Sequence, residues 1–423
     1  MKTVAIIAPQ FSPCSYPPAI RVRYFTNHLE EFGWHPVVFS VKPEFMEEPP
    51  DHEFERMISP ALEVIRVKAL PQKWTRKMGI GDIGIRCFFH MLKGLHVECR
   101  KRQIDLIFIP GPPWHTYLIG PILKARFNIP YVMDYIDPWI TPGRFKPWEK
   151  RFWYRLLAYV LEPLALRHVS RVTAVSEGTC DTILKRFPHL RKEFFSSIPY
   201  GAEASDFAYL RDRGTGTHYW DTRDGNIHFC YVGVVWPAAM GTIAALLDAV
   251  ALIKEKRPEL FRKIRLHFLG TSYAPHPACQ VLPLALERNL DNVTEHPKRI
   301  PYFDALSVLS NSDAILALGS SDPHYTASKI FPCVLARRSL LGIFHASSSV
   351  VKILNEANTG IVVTYNSEEP VQTRVPAIYD ALIRVAENPV YNAEMIQWDR
   401  FEAYSAHSMT MRLASVFDEA VKK

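Results

Sequence analysis

The sequence predicts an α/β protein that consists of two doubly wound domains. Short apolar runs alternate with helical patterns along most of the chain, as in parallel sheets covered by helices. With 423 residues the chain exceeds what one ordinary core holds and fits two domains. Residues 211–226 are rich in Arg, Asp, Gly and Thr, which is typical of a linker. We therefore expect one Rossmann-like domain over residues 1–215, a second over 216–395, and a helical segment over 396–423.

Composition and charge exclude several classes of protein. The chain is 48% apolar and 22% charged, with a formal net charge of +7, so it should fold as a soluble protein, and we expect no nucleic-acid partner. The seven cysteines are scattered and form no Cys-x-x-Cys pair, which favours a reducing compartment and no structural zinc. The first apolar run is too short for a signal peptide, and no run reaches the roughly 18 apolar residues of a membrane span. We expect a cytoplasmic protein.

Polar side chains follow neighbouring strands in the first half of the chain. His115, Asp134 and Asp137 stand at the ends of predicted strands, where the loops of a parallel sheet converge on a ligand. The first turn carries Tyr-Pro-Pro-Ala at residues 16–19 and no Gly-x-Gly-x-x-Gly fingerprint, so a dinucleotide coenzyme is disfavoured. The predicted strands of this half are residues 4–8, 36–40, 105–109, 131–133 and 171–175.

One loop of the second half has the features of a phosphate site. The apolar run 313–318 leads into residues 320–331, where Ser328 stands ready to cap a helix and Lys329 would lie in its first turn. A helix N-terminus collects backbone N–H groups, and a lysine adds a full charge. A solvated surface lysine is the alternative interpretation. The predicted strands of this half are residues 228–232, 264–269, 293–296, 313–318, 340–344 and 360–363.

Two basic segments of the first half suggest contact with a membrane surface. Residues 66–77 hold five cations and Trp74 without an acidic residue. The helix that follows Lys146 is also basic, and its apolar residues recur at helical spacing, which we interpret as core packing. Both segments remain candidates for peripheral contact with anionic lipid. The apolar residues of that helical stripe are Trp148, Phe152, Leu156, Tyr159 and Val160.

Seven pieces of the chain, taken in order and spacing, resemble glycosyltransferase family 4 over nearly the whole length. They are the Pro-rich first loop with Arg21, Leu29 and Gly33-Trp34, and the segments 111–116, 134–139, 172–176, 198–203, 229–233 and 325–331.

The resemblance implies a GT-B architecture, in which two Rossmann-like domains face a central cleft and the last helix crosses back to the first domain. It also implies a retaining, metal-independent transferase with no cofactor, and the sequence contains no Asp-x-Asp motif. The second domain would bind a nucleotide-sugar donor, and the first would bind a glycan or lipid-linked acceptor. Such enzymes serve polysaccharide and cell-envelope glycan synthesis, in the cytoplasm or peripherally on the inner face of the membrane.

The resemblance also assigns candidate site residues. Lys329 would act in catalysis by stabilising the departing diphosphate. Asp137 and His115 would orient the acceptor hydroxyl or balance positive charge on the sugar. The expected donor-binding residues are Lys329, Ser328, Gly233, Thr326 and Tyr325, and the expected acceptor-side residues are Arg21, Asp134 and Trp139.

The chain departs from the family pattern at several positions. His324 and Pro332 stand where many members have two glutamates, the second of which binds the nucleotide ribose. Val234 and Met240 replace basic residues of the loop after Gly233, and Ile136 stands where relatives often have Arg. These departures leave two alternatives open: a degenerate GT-B protein that binds a glycan or partner without turnover, and another GT-B activity such as a nucleotide-sugar epimerase or a phosphorylase.

Overall fold

The computed structural model describes residues 1–140, 146–214, 216–274, 276–322 and 327–422. The chain divides into two compact units. The first unit comprises Met1–Gly201 together with Ala406–Lys423, and the second comprises Ala202–Ser405. The division after Gly201 precedes residues 211–226, whose composition suggested a linker.

A seven-stranded parallel sheet forms the centre of the first unit. In space the strands follow the order β3-β2-β1-β4-β5-β6-β7. The order reverses between β1 and β4, which is the switch point of a doubly wound sheet, where adjacent loops diverge and leave room for a ligand. The strands are β1 (Lys2–Ile7), β2 (Trp34–Val41), β3 (Glu63–Val67), β4 (Leu106–Gly111), β5 (Tyr131–Tyr135), β6 (Arg171–Ala174) and β7 (Phe195–Ser197).

Eight helices of the first unit cover this sheet within the described residues. They are α1 (Pro17–His28), α2 (His52–Glu55), α3 (Gln72–Thr75), α4 (Ile83–Lys101), α5 (Ile119–Phe127), α6 (Lys150–Leu166), α7 (Glu177–Arg186) and the C-terminal α17 (Ala406–Val421). Short 3₁₀ segments lie at Leu29–Phe32, Pro43–Phe45, Arg76–Met78, Trp114–Leu118 and Lys192–Phe194.

Local sequence explains where several of these helices begin. The Asp82 carboxylate accepts a hydrogen bond from the backbone N–H of Ile85 at 2.9 Å and caps α4.

Helix α17 buries Met409, Leu413 and Phe417, and the centroid of the Phe417 ring lies 5.3 Å from that of the Trp34 ring. The C-terminal helix is therefore part of the core of the first unit.

A six-stranded parallel sheet forms the centre of the second unit, in the order β10-β9-β8-β11-β12-β13. Here the switch point lies between β8 and β11. The strands are β8 (Ile227–Val232), β9 (Ile264–Leu269), β10 (Val293–His296), β11 (Ala314–Leu318), β12 (Ser339–His345) and β13 (Ile361–Tyr365).

The helices of the second unit include one long apolar segment. They are α8 (Ala204–Arg213), α9 (Met240–Lys256), α10 (Pro258–Phe261), α11 (Leu282–Glu287), α12 (Tyr302–Asn311), α13 (Ile330–Leu335), α14 (Ser349–Glu356), α15 (Val375–Glu387) and α16 (Trp398–Glu402), with 3₁₀ segments at Pro237–Ala239, Val371–Arg374 and Ala393–Met395. Among the described residues, only Pro237–Lys256 is helical, long and apolar enough to span a membrane by composition. Ile243, Leu246 and Leu247 of this segment have no exposed surface, as expected of a core helix.

The structure corrects three expectations about local structure. Strands β3 and β7 were missed; β3 is an edge strand whose Glu63 and Arg66 are only half-buried, so its sequence lacks a continuous apolar run. Strand β5 extends through Tyr135, so Asp134 lies inside a strand and not in a loop. The core-packing interpretation of the α6 stripe is also wrong, since Leu156, Tyr159 and Val160 are exposed.

Candidate functional site

His115 lies beyond the end of β4 in the first unit and is held by Asp82. Its Nδ1 lies 3.2 Å from Oδ1 of Asp82, and its side chain is largely buried. Because a carboxylate only accepts hydrogen bonds, this contact places the proton on Nδ1 and makes Nε2 the acceptor nitrogen. His115 is thus oriented as a base or as an acceptor for a ligand hydroxyl.

Trp139 and Asp137 follow β5 at the same edge of the sheet. The Trp139 ring packs edge-on against His115, with 5.9 Å between ring centroids, and Trp114 donates its indole N–H to the Asp137 carbonyl at 3.1 Å. Asp137 is exposed to solvent. The surrounding protein nevertheless reduces the hydration of its carboxyl group and thereby raises the pKa of that group. The structure therefore brings three predicted residues, His115, Asp137 and Trp139, to one edge of the first unit.

Arg21 and Asp134 form a closed pair inside the first unit. Both side chains are without exposed surface, and the guanidinium donates from Nε and Nη2 to the two carboxylate oxygens at 2.8 and 3.0 Å. Arg21 also donates to the carbonyls of Ile198 and Pro199, and Thr173 donates to Asp134. This burial argues against the acceptor-side role expected for Arg21 and Asp134, because a bound acceptor would not reach them.

Lys329 lies at the switch point of the second unit. Its Nζ donates to the Tyr231 hydroxyl and lies 3.8 Å from the centroid of the same ring. Tyr231 in turn donates to the carbonyl of Val234 at 3.1 Å. Within the described ranges no carboxylate pairs with Lys329. This ammonium group is thus positioned by an aromatic hydroxyl and not neutralised by an acid, which argues against a solvated surface lysine.

Gly233 allows the loop after β8 to pass close to Lys329. Its φ of +132° is a conformation that side chains disfavour, and a Cβ at this position would lie 3.2 Å from Nζ of Lys329. The Gly233 N–H donates to the carbonyl of Leu269 at 2.9 Å, which ties the loop to the end of β9. The two predicted residues Gly233 and Lys329 are therefore in direct proximity.

The surroundings of Lys329, which is partly buried, affect its pKa. Desolvation lowers the pKa of its ammonium group to about 7. An anion placed beside it would restore the charged form, since opposite charges stabilise each other in a poorly solvated site. The lysine can therefore bind an anion and respond to pH within the physiological range.

The helix that follows differs from the expectation. Helix α13 spans only Ile330–Leu335 with Lys329 at its N-cap, and no side chain caps it. The expected capping role of Ser328 and the place of Lys329 in the first turn were wrong, because the helix begins one residue later. Ser328 is half-buried. Tyr325 and Thr326, also predicted for the donor site, lie outside the described residues.

Sequence reasoning missed an aromatic and cationic group at the same edge of the second unit. The ring centroids of Trp236 and Tyr273 lie 6.0 Å apart, and both residues are about half exposed. The Arg299 guanidinium lies 5.8 Å from the centroid of the Tyr273 ring. These residues follow β8, β9 and β10, and aromatic faces beside a cation suit stacking with a planar ring. Their positions after three neighbouring strands were the available signal.

A cavity opens beside these loops in the second unit. Its volume is about 340 Å³, which falls within the size range of small-molecule sites. Tyr365 donates its hydroxyl to the carbonyl of Ser320 at 2.7 Å and thereby fixes the loop after β11. The lining includes Thr242, Ser321, His345 and Asn366.

Comparisons with known proteins identify the fold and a related family. The family model described as "Glycosyl transferase 4-like domain" matches residues 18–193. No curated protein matches the sequence.

The chain shares its fold with sucrose-phosphate synthase from Thermosynechococcus elongatus, at 17% identity and a TM-score of 0.66 over 99% of this chain and 98% of that one. Anabaena HepE in complex with UDP-glucose matches at 14% identity and a TM-score of 0.65, over 99% and 100% of the two chains. A glycosyltransferase from Rickettsia africae matches at 12% identity and a TM-score of 0.61, over 100% of this chain and 99% of that one. The fold is GT-B.

Proposed function

We propose that this chain, which is a glycosyltransferase with a family-4-like domain, moves a sugar from a nucleotide diphosphate donor to a glycan or lipid-linked acceptor. The transfer retains the anomeric configuration and needs no metal. One structural neighbour, HepE, was solved with UDP-glucose, which supports a nucleotide sugar as the donor.

The observation that carries the proposal is the geometry of Lys329. A desolvated cation without a carboxylate partner among the described residues lies at the switch point of the second sheet, beside a glycine that keeps the space next to Nζ open. A diphosphate supplies the missing negative charge. As the bond between sugar and diphosphate breaks, negative charge grows on the leaving oxygen, and a fixed cation stabilises that state more than the bound donor.

The donor site extends from Lys329 along the edge of the second unit. Trp236 and Tyr273 offer exposed faces for a nucleobase, and Arg299 contributes a second cation next to Tyr273. The base and the diphosphate would therefore contact different strand ends of the same sheet. This assignment rests on the positions of the loops after β8, β9 and β10.

The acceptor-side chemistry falls to the first unit. Asp137 is exposed and reachable by a hydroxyl, while His115 is held by Asp82 with Nε2 as the acceptor nitrogen. We expect Asp137→Asn to lower turnover by about 10² while donor affinity stays within twofold, because an orienting carboxylate acts on the acceptor. Single-turnover rates and donor titrations on the same variant separate the two effects. A loss of donor affinity with normal turnover per bound complex would contradict this role.

The place of the reaction follows from the acceptor. A soluble glycan would be modified in the cytoplasm, and a lipid-linked acceptor would be modified at the inner face of a membrane with the protein bound peripherally. Both fit the synthesis of polysaccharides or cell-envelope glycans. The basic segments of the first half of the chain support the second arrangement.

A panel of nucleotide sugars tests the proposal directly. The protein is incubated with UDP-, GDP- and ADP-sugars and oligosaccharide or lipid-linked acceptors, with and without EDTA, and free nucleotide and product are measured by mass spectrometry. We expect release of nucleoside diphosphate that EDTA does not reduce, and NMR of the product should show the anomeric configuration of the donor. An inverted product or complete loss in EDTA would contradict the proposed mechanism.

Binding without turnover is the second candidate function. Pro332 occupies the position where a carboxylate of many family members binds the ribose, and a proline side chain offers no such hydrogen bond. Nucleotide binding without release from any sugar donor would favour this candidate. A 2-epimer recovered from the donor without an acceptor would instead indicate an epimerase.

A further inference from the structure

Helix α6 of the first unit is apolar on two opposite faces. One face packs on the core through Ala158, Ala165 and Leu166, which are all buried. The opposite face carries five large apolar side chains with the spacing i, i+3, i+4, i+7 and i+11, and all five are exposed: Trp153 (60%), Leu156 (48%), Leu157 (43%), Val160 (58%) and Leu164 (49%).

The exposed apolar face of α6 has the physical features of a binding surface. At 3.6 residues per turn the five side chains fall within an arc of about 100° along one side of the helix. A contiguous apolar patch on a protein surface marks an interaction site. Helix α5 contacts α6 and also α4, and these two helices carry the exposed apolar residues Ile122 and Phe89.

Cations and tryptophans border this patch. The Tyr154 hydroxyl at the start of α6 donates to the Gly79 carbonyl at 3.3 Å, which places the segment 72–79 beside the helix. That segment contributes Trp74, 62% exposed, and the exposed Lys73 and Lys77. Just before the helix start, Lys146 Nζ lies 5.1 Å from the Trp148 ring centroid. The basic segment and the basic helix, separate in sequence, therefore meet in the first unit.

We infer that this face of α6, with its cationic border, is a docking surface for an anionic lipid bilayer. The apolar stripe suits the boundary of headgroups and acyl chains, tryptophan is enriched at that depth, and lysines pair with anionic headgroups. From residue 146 to residue 161 the chain has four basic residues and one acidic residue, and this charge complementarity favours lipid over a neutral protein surface.

The docking surface is separate from the residues assigned to transfer. Asp137, His115 and Lys329 are not part of it, so nucleotide binding can be measured independently of lipid binding. The inference rests on the proposed function and deepens it, because it assigns the peripheral membrane contact to one face of α6.

Vesicle flotation tests the inference with the full chain. The protein is mixed with vesicles of phosphatidylcholine alone or with phosphatidylglycerol, over a range of salt concentrations. We expect binding to the anionic vesicles that weakens as salt increases. The double variant Leu156→Glu/Val160→Glu should bind at least tenfold less, because it places two charges in the apolar stripe.

Two further variants sharpen the test. Leu286→Glu/Val390→Glu changes two exposed apolar residues of the second unit and should bind vesicles as the parent does. The charge variant Lys73→Gln/Lys77→Gln/Lys146→Gln should lose about fivefold in affinity for each cation, which corresponds to roughly 1 kcal/mol each, and its salt dependence should flatten. Circular dichroism melts confirm that all variants fold.

Several results would overturn the inference. They are failure of the parent to bind anionic vesicles, equal binding by the α6 variant, or equal loss in the second-unit control. A parent that is dimeric without lipid by analytical ultracentrifugation, and monomeric as Leu156→Glu/Val160→Glu, would show that a second copy occupies this face. Nucleotide affinity measured on the same samples keeps a failure of the lipid surface distinct from a failure of the donor site.

Discussion

Arg21 of the first unit is fully buried and Lys329 of the second is partly buried. Both cations lie near the carboxyl edge of a parallel sheet, yet they have opposite surroundings. Arg21 forms two hydrogen bonds with the Asp134 carboxylate and two with backbone carbonyls. Lys329 contacts a tyrosine hydroxyl and, within the described part of the chain, no carboxylate. The first charge is neutralised inside the protein and the second is not.

The difference shows how burial alone fails to identify a functional cation. A buried charge that is paired and fully hydrogen-bonded holds elements together, and its loss lowers stability. A desolvated ammonium group without an acidic partner has a lowered pKa, and a bound anion would stabilise its charged form. We therefore expect substitutions at Arg21 to affect folding and substitutions at Lys329 to affect ligand binding.

The largest effect should follow Arg21→Met. The change leaves Asp134 charged and buried without its partner, which typically costs about 3–5 kcal/mol. Urea denaturation should show this loss, and Arg21→Met/Asp134→Asn should recover part of it. The control is Arg171→Met, an arginine of the same unit whose partner Glu419 is exposed, where we expect less than about 1 kcal/mol. Equal destabilisation by both single variants would show that the buried pair contributes no more to stability than an exposed one.

Lys329→Ala should affect ligand binding and rate without destabilising the fold. Removing a preorganised charge-stabilising group lowers turnover by about 10²–10³ in other enzymes, and nucleoside diphosphate affinity should fall as well. The melting temperature should stay at or above that of the parent, since a desolvated cation is removed. Lys352→Ala, an exposed lysine of the second unit, serves as the control. Unchanged binding of UDP, GDP and ADP to Lys329→Ala would place the donor site elsewhere.

The pH dependence of nucleotide binding also distinguishes Lys329 from a paired cation. With the pKa of Lys329 lowered to about 7, the free protein carries this charge below pH 7 and loses it above. Binding of an anion above pH 7 must then take up a proton, so affinity should fall by about tenfold per pH unit until the pKa of the bound lysine is reached. Calorimetry at pH 8 in two buffers of different ionisation enthalpy measures this uptake. Lys329→Ala should show none, and proton uptake by that variant would exclude Lys329 as its source.

Gly233→Ala should have the smallest effect. The backbone at φ +132° disfavours a side chain, and the new Cβ would lie 3.2 Å from Nζ of Lys329, which a flexible lysine relieves by moving. We expect a loss of about 1–2 kcal/mol in stability and a several-fold loss in nucleotide affinity. Gly216→Ala is the control, because a Cβ added there would meet no atom within 4 Å and its φ lies outside the left-handed region. Equal affinities for the two variants would show that the position of Nζ does not matter.

Local patterns predicted most of the fold but not the partners of individual side chains. Eleven predicted strands correspond to strands of the structure, because continuous apolar runs between turn residues identify buried parallel strands. The edge strand β3 was not predicted, because its residues are only half-buried and its sequence lacks such a run. For α6, periodicity identified a helix but not which of its two apolar faces is buried, and that depends on the sheet on which it packs.

The candidate site was predicted only in part, for a similar reason. Lys329, Gly233, His115 and Asp137 were identified from their positions after strands, which depend on local sequence. Tyr231, which positions Lys329, is 98 residues away in the chain, and Asp82, which holds His115, is 33 residues away. No local pattern connects such pairs, because the tertiary fold alone makes them neighbours.

The C-terminal helix α17 has a consequence for the order of folding during synthesis. The second unit is continuous in the chain, whereas the core of the first unit combines residues before Gly201 with Met409, Leu413 and Phe417 of α17. The chain before residue 406 therefore contains the whole second unit, while the first unit still lacks part of its interior. The nascent first unit would keep the sites of Trp34 and Phe108, against which Phe417 packs, uncovered until the final helix emerges, and chaperones that recognise exposed apolar surface would have that interval in which to act.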